Sequence, residues 1–352
     1  MTPGVLHVLV PRGVHDPLRV SGGNSYDRQL CSALSRLGWQ VQVVQVEGGW
    51  PWRPAVGRRD LERALRDLAD GTLVLVDGLL ASRLPEVMVP ASSRLRVVLL
   101  VHLPAGVDDE LARLPERRVA AAAASVVAPS AWCRDWLVRH YDLDPARVHV
   151  AHPGVETAPA APGSGSGTSL LSVGSVTEVK GQDHLVEALS DLCDLSWHWT
   201  CVGSTSVDPH FAERLVGTAA ALGVAERCVF AGPLAGHDLE AAYADADLLV
   251  LPSRAETYGM VVTEALSRGT PVLAADVGGV GEALGETAAG LRPGLLVGPG
   301  DVAGLAAALR RWLSDAGLRA DLRAAALERR SGLAGWSVTA QLVGSVVREA
   351  AA

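Results

Sequence analysis

Two glutamates eight residues apart, Glu256 and Glu264, sit in the segment PSRAETYGMVVTEALSRGTPVLAADVGGVGE, residues 252–282. A carboxylate has two acceptor oxygens, which suits Glu264 to the paired hydroxyls of a ribose. The apolar run Leu248–Leu251 reads as a strand, residues 252–257 as the loop past its carboxyl end, and a helix starts near Tyr258. The amides of Tyr258, Gly259 and Met260 then stand at the positive end of a helix dipole, an arrangement that binds anions such as diphosphate. Gly259 permits close backbone approach. An acid in a helix first turn and a solvent-facing acid would account for the same glutamates without any ligand, so the wider pattern has to decide.

Three other groups have the right chemistry. Lys180 is the only lysine, against thirty arginines. A compact ammonium on a flexible stem serves where a planar guanidinium does not, although position alone leaves chance equally open. Upstream, Ser21-Gly22-Gly23-Asn24-Ser25 opens a helix. Two glycines there let a phosphate or sugar approach the backbone, and the usual reason for such a pair is packing or chain reversal. His102 ends the apolar run of VVLLVHLPAG. A lone histidine is more often structural than functional.

The elements that position these groups follow a strand–helix alternation. Residues 6–10, 41–46, 73–76, 97–101, 125–128 and 148–150 read as strands, with helical spacing at 26–37 and 61–68 and a helix capped by Ser130. Residues 157–168, TAPAAPGSGSGT, cannot form a core and read as a linker. The alternation then restarts with strands at 169–173, 197–202, 229–231, 248–251, 271–274 and 295–297. Helices follow at 301–313, 318–330 and from 336. Near-continuous apolar strands imply parallel sheets covered on both faces. The expected fold is therefore α/β, with two doubly wound, Rossmann-like domains facing a central cleft and ligands beyond the strand carboxyl ends. The expected boundaries are 1–155, a linker at 156–169, 170–335, and a C-terminal helix at 336–352 that can pack back on the first domain.

The segment 252–282 closely resembles the donor-site signature of the retaining GT-B glycosyltransferases called family 4, with the glycosyltransferase-1 type domain. Pro252, Ser253, Glu256, Tyr258, Gly259, Glu264, Ala265, Gly269, Thr270, Pro271, Val272, Gly278, Gly279 and Glu282 match it. The resemblance implies that Glu264 binds the donor ribose and that Glu256 faces the donor sugar. SVGSVTEVKGQDHLVEAL, residues 172–189, resembles the family's Val-Gly-Arg-Leu … Lys-Gly motif, in which Arg and Lys neutralise the diphosphate. Lys180 falls on the lysine. Ser175 stands where arginine is usual, and Arg254 is the nearest motif residue able to replace that cation. The family's Gly-Gly loop, here Gly22 and Gly23, faces the diphosphate, and its strand-end histidine, here His102, lies near the donor sugar. His152-Pro153-Gly154-Val155 resembles the segment leading into the family's linker. The GT-B fold so implied transfers a sugar from a nucleoside diphosphate sugar to a small-molecule, glycan or lipid acceptor. His102, Glu256 and Lys180 are the expected catalytic residues.

No cofactor and no metal are expected. Asp245-Ala246-Asp247 spells the DxD of a different transferase fold, but it runs into a buried strand and reads as structural. No GxGxxG follows the first strand, which argues against an oxidoreductase, and the histidines show no metal-ligand spacing. Net charge is −8, split between +2 in residues 1–155 (18 Arg against 16 Asp and Glu) and −10 in the rest, so nucleic acid is not an expected partner. Hydrophobic residues are 49% and charged residues 20%, a globular composition. The five cysteines form no CxxC pair and read as buried, reduced thiols. The first apolar run is too short for a signal peptide, and no run reaches the ~18 residues of a membrane span. A cytoplasmic protein is the expectation, with a peripheral membrane contact left open. Two rivals stand beside the transferase: a nucleotide-sugar epimerase or other GT-B-like enzyme, and a weakly active sugar-nucleotide-binding homologue.

Overall fold

Alternating apolar runs of Val, Leu and Ala become strands because both of their faces are covered. In the computed structural model, which describes residues 4–16, 21–50 and 54–351, every strand pair is parallel. The strands β1 (Val5–Pro11), β2 (Gln40–Val46), β3 (Leu73–Asp77), β4 (Arg96–Leu100), β5 (Ser125–Ala128) and β6 (Val148–Val150) form one six-stranded sheet, in the order β2-β1-β3-β4-β5-β6. The strands β7 (Ser169–Val173), β8 (His198–Val202), β9 (Cys228–Gly232), β10 (Leu248–Leu251), β11 (Val272–Ala275) and β12 (Gly294–Val297) form a second, in the order β12-β11-β10-β7-β8-β9. Central strands such as β5 and β10 are buried throughout, whereas the edge strands β2 and β9 are partly exposed.

Each sheet reverses its winding once. In the first, the chain turns outward on either side of the β1–β3 pair. In the second, it does so on either side of β7–β10. Loops leaving two such neighbours diverge and open a crevice beyond the strand ends, the usual ligand position in a doubly wound sheet. Every candidate residue lies past a strand end or in the helix that follows one.

By contacts the chain divides into two compact units, one gathering residues 4–16, 22–154 and 334–351, the other 155–333. The last helix, Trp336–Ala351, therefore belongs to the first unit. Its Trp336 ring meets Tyr26 edge-on at 5.3 Å, and Thr339 Oγ1 donates to the His152 carbonyl at 2.8 Å. Gly154 makes this return possible. A Cβ there would collide with the backbone of Gly335 and Trp336.

Three details depart from the sequence reading. The Gly/Ser stretch expected as a linker is strapped to the second unit: Ala161 N bonds Arg268 O at 2.9 Å, and Asp247 Oδ1 accepts from Ser164 N at 2.9 Å. A core-poor segment is ordered here because its backbone groups are satisfied one by one. The helix expected near Tyr258 begins at Met260, since Gly259 adopts φ +87° and is its N-cap. The cysteines are free thiols but not all buried. Cys193 is exposed in the turn after helix Gln182–Ser190, and Cys31 and Cys228 are half-buried. Among the described residues, no helix is long and apolar enough to cross a membrane.

Gly154→Ala should destabilise the first unit by about 1–3 kcal/mol, because the methyl must push Trp336 away. Gly217→Ala, in helix Pro209–Ala221 with open space around it, should instead stabilise by about 0.5–1 kcal/mol. Urea unfolding of both variants checks the pair; equal effects would show that the Gly154 contact does not matter.

Candidate functional site

The second sheet's crevice is built by two loops that touch. After β7 comes the loop Gly174-Ser175-Val176-Thr177, then a 3-10 turn, Glu178–Lys180. Gly181 follows at φ +66°, and a Cβ there would strike the Pro252 carbonyl. Only glycine lets the lysine loop lie against the loop that follows β10. The two are also joined through the backbone, Arg254 N to Val179 O at 2.8 Å. On the other side, Gly278 (φ +55°) admits the Glu256 carbonyl into the space a Cβ would fill. The glycines of both motifs thus set how close three loops come.

This closure brings two residues that lie 76 positions apart into contact. Lys180 Nζ donates to Glu256 Oε1 at 2.6 Å, and the buried Ser253 hydroxyl donates to the same oxygen at 2.8 Å. The lysine is 28% exposed and the glutamate 11%, so the pair sits at the crevice wall with the ammonium as its wetter member. An ammonium has three donors, and one is used here.

Arg254, the candidate substitute for the missing arginine, is already engaged. Its guanidinium grips Asp183 through both oxygens, at 2.8 and 2.7 Å, and reaches His184 Nε2 at 2.8 Å. Burial raises the Asp183 carboxyl, but the bonds and charge of Arg254, with His184, outweigh that and hold it below its ordinary range. A cation bound to a carboxylate fork is poorly placed to neutralise a second anion. Ser175 contributes its carbonyl, which accepts from Gln182 Nε2 at 3.0 Å.

Glu264 lies in the helix Met260–Ser267 and is half-buried. The fully buried Tyr243 donates its hydroxyl to Oε2 at 2.7 Å. Arg268 lies 4.3 Å over the Tyr243 ring and bonds the Glu264 carbonyl at 2.8 Å. Burial raises the Glu264 carboxyl above its usual range, against the opposing pull of the Tyr243 bond and the Arg268 charge. One of the two oxygens expected for a ribose is therefore taken. Spacing rules missed Tyr243 and Arg268; the visible signal was the lone aromatic near the end of the helix Gly236–Asp245. Tyr258 is buried in the core of this unit, so the helix N-terminal amides belong to Met260 and Val261, while Val262 N already bonds Gly259 O at 2.9 Å.

In the first unit, Gly22 and Gly23 begin the helix Gly22–Arg36. A Cβ on Gly23 would lie 3.1 Å from the His102 ring, so this glycine lets helix and histidine approach. His102 Nε2 is 3.0 Å from Asp27 Oδ1. Asp77, at the end of β3, closes the group. Among the described residues, Asp27, Asp77 and His102 are the one trio of His, Cys, Asp or Glu side chains near enough to share an ion, their ligand atoms within 4.8 Å of one another. The DxD aspartate Asp247 is used otherwise, accepting from Ser164 and Ser169.

Comparisons with known proteins agree on the kind of chain. Residues 160–329 match the family model "Glycosyl transferases group 1", and residues 20–159 match "Glycosyltransferase Family 4". Over 261 residues, 67% of this chain and 53% of the other, the sequence is 34% identical to a D-inositol 3-phosphate glycosyltransferase of Salinispora tropica. A Catenulispora acidiphila protein named D-inositol 3-phosphate glycosyltransferase 1 is 35% identical over 67% of this chain and 59% of its own length. The matches thus span little more than half the length of these curated relatives. In structure, the chain resembles sucrose-phosphate synthase from Thermosynechococcus elongatus (TM-score 0.79, 21% identity, 98% of both chains). It also resembles Anabaena HepE solved with UDP and glucose (TM-score 0.80, 18% identity, 98% of this chain and 99% of that one). The fold is GT-B.

Arg254→Ala should lower stability at neutral pH by about 1 kcal/mol, the order expected of a partly exposed bidentate pair. Because the folded Asp183 pKa is depressed, its contribution is present above the unfolded value of roughly 3.9 and is lost as pH falls through the folded value. The gap between wild type and variant should therefore narrow below about pH 4 in urea titrations. A gap that is constant with pH would show that the pair is not its source.

Proposed function

Since the chain belongs to the GT-B glycosyltransferases of the family 4 type, we propose that it moves a sugar from a nucleoside diphosphate sugar to an acceptor hydroxyl, with retention and without a metal ion. The observation that carries this reading is the Lys180–Glu256 pair at the β7–β10 crevice, 2.6 Å apart and flanked by the start of the helix that holds Glu264. A diphosphate placed there meets the spare donors of the ammonium and the amides of Met260 and Val261. Glu264 accepts a ribose hydroxyl on the oxygen that Tyr243 leaves, and Glu256 faces the sugar. The resemblance also gives His102, in the first unit beside Gly23, a sugar-binding role. As the glycosidic bond breaks, charge grows on the departing diphosphate, and a preorganised ammonium stabilises that state more than the ground state. No carboxylate stands out as a nucleophile. Front-face attack, with the leaving phosphate taking the acceptor proton, fits the residues better.

Calorimetry with UDP, GDP and their sugars, each with EDTA, tests the donor class; the ligand of Anabaena HepE makes UDP and UDP-glucose the first pair to try. A hydroxyl-compound screen that includes inositol phosphates then tests transfer. Binding and turnover should survive EDTA, and restoration by manganese or magnesium alone would overturn the metal-free reading. Glu264→Gln should weaken nucleotide binding by about 1.5–3 kcal/mol, the scale of a hydrogen bond to a charged group. Unchanged affinity would remove Glu264 from the ribose.

Lys180→Ala should cut turnover roughly 100- to 1,000-fold, as loss of a transition-state electrostatic partner does. Lys180→Arg should also be impaired, because a guanidinium has a different reach and cannot reproduce the contact with Glu256. Arg254→Ala, whose side chain is bound to Asp183, should cost far less. If the arginine variant is the more severe, the cation roles are reversed.

A further inference from the structure

The first sheet has its own crevice at the β1–β3 reversal, and three ionisable groups converge on it from three elements. Asp27 comes from the helix after β1, Asp77 from the end of β3, and His102 from just past β4. Asp27 and Asp77 are each 2% exposed, and the His102 side chain is 13% exposed. Asp77 Oδ1 caps the short helix Gly78–Ala81 by accepting from Leu79 N at 2.8 Å. Asp27 Oδ1 takes His102 Nε2. The second oxygens, Asp27 Oδ2 and Asp77 Oδ2, are buried, and among the described residues no donor reaches them. Two buried carboxylate oxygens this close cannot both stay ionised and bare, because each unpaired buried charge costs several kcal/mol. One proton between them removes both defects, as in carboxyl pairs that share a site.

We propose that Asp27, Asp77 and His102 form a positioning triad. In it Asp77 is a carboxylic acid donating its proton to Asp27 Oδ2, Asp27 is the carboxylate that accepts from His102 Nε2–H, and His102 is held as an imidazolium whose Nδ1–H is offered to the ligand. The charges of the three sum to zero, so the cluster buries no net charge. Among the described residues, none bonds Nδ1. The ring is fixed on its other sides by Gly23, whose missing side chain leaves it room, and by Tyr26, edge-on at 5.3 Å. Tyr26 is itself anchored, its hydroxyl donating to Ala151 O at 2.9 Å.

The electrostatics run the same way. Burial pulls the His102 pKa down, but the charge of Asp27, the charge that Asp77 carries once it ionises, and the Asp27 bond outweigh it and raise it to about 9. Asp77 is raised, by burial first and then by Asp27. Among the described residues, Tyr26 and Cys31 of the same helix also feel the Asp27 charge; burial pushes both upward, so both stay neutral near pH 7. Trp336 of the last helix, edge-on to Tyr26, carries no charge. A raised histidine pKa keeps the charge below about pH 9 and loses it above.

The value of this triad to catalysis rests on the transferase reading; its protonation does not, and is measured on the ligand-free full chain. Imidazole nitrogen NMR between pH 5 and 10, with His102 assigned by comparison with His102→Gln, should show it charged well past pH 7. Asp27→Asn should lower its midpoint by about 1–3 units, the range for loss of a neighbouring opposite charge. Asp77→Asn should lower it by clearly less than Asp27→Asn does, because an asparagine amide can donate to Asp27 Oδ2 as the acid did and still cap Leu79 N. In the unsubstituted protein, the Asp77 carboxyl carbon should titrate well above the ordinary aspartate range, a readout that needs no variant to fold. In turnover, Asp27→Asn should shift the alkaline limb of kcat to lower pH by more than Asp77→Asn does. A wild-type His102 midpoint near 6.5 overturns the proposal. So does an Asp77→Asn shift as large as that of Asp27→Asn, which would make Asp77 a second counterion. Stoichiometric divalent metal in the purified protein, lost in Asp27→Asn, would show that an ion rather than a proton joins the carboxylates.

Discussion

The donor-half site depends on how closely three loops approach at the β7–β10 reversal. Gly181 beneath the Pro252 carbonyl and Gly278 beneath the Glu256 carbonyl are contacts that no side chain would tolerate. They carry Lys180 to 2.6 Å from a glutamate 76 residues away. The ammonium and carboxylate form the pair, but the absence of two side chains sets their distance. A one-methyl error at either glycine would move the loops by more than a hydrogen bond tolerates, and electrostatic catalysis falls steeply with such misplacement.

The elements were legible wherever local periodicity exists. Apolar runs gave both sheets, and the Glu256–Glu264 spacing placed one glutamate on a loop and the other in a helix. The helix start was misjudged by two residues because Gly259 takes a left-handed conformation that hydrophobic spacing does not encode. The Gly/Ser stretch read as a loose linker because composition reports only the lack of a core. Its ordering comes from partners far off in sequence, such as Asp247 and Arg323.

Pairing was the part the sequence concealed. Arg254 looked available because it lies in the right motif, yet its partner Asp183 is on another loop's helix, 71 residues away. Tyr243 reaches Glu264 from 21 residues upstream, and Asp27 reaches His102 across 75. A single acid at the end of a strand or in a helix first turn leaves no local pattern, because the reason for it lies in the sheet's topology. His102 could be noticed alone; its protonation state could not, because that belongs to the three groups together.

The pairing also explains how two cations can sit in this crevice without a ligand. A bare ammonium and a bare guanidinium in a half-buried crevice would each pay desolvation with nothing to offset it. Here each cation rests on a carboxylate. The two pairs are not equivalent, however. Asp183 holds Arg254 through both oxygens, so displacing it would strand a carboxylate that has lost two charge-assisted bonds. Glu256 holds Lys180 through one oxygen, which also keeps the Ser253 hydroxyl. An arriving phosphate can therefore bind the remaining donors of the ammonium while the existing bond persists. The absence of arginine at Ser175 then need not be offset by Arg254. On the proposed reading, one partly used ammonium and backbone amides fixed before the ligand arrives would neutralise it, and fixed donors need no reorganisation when charge develops.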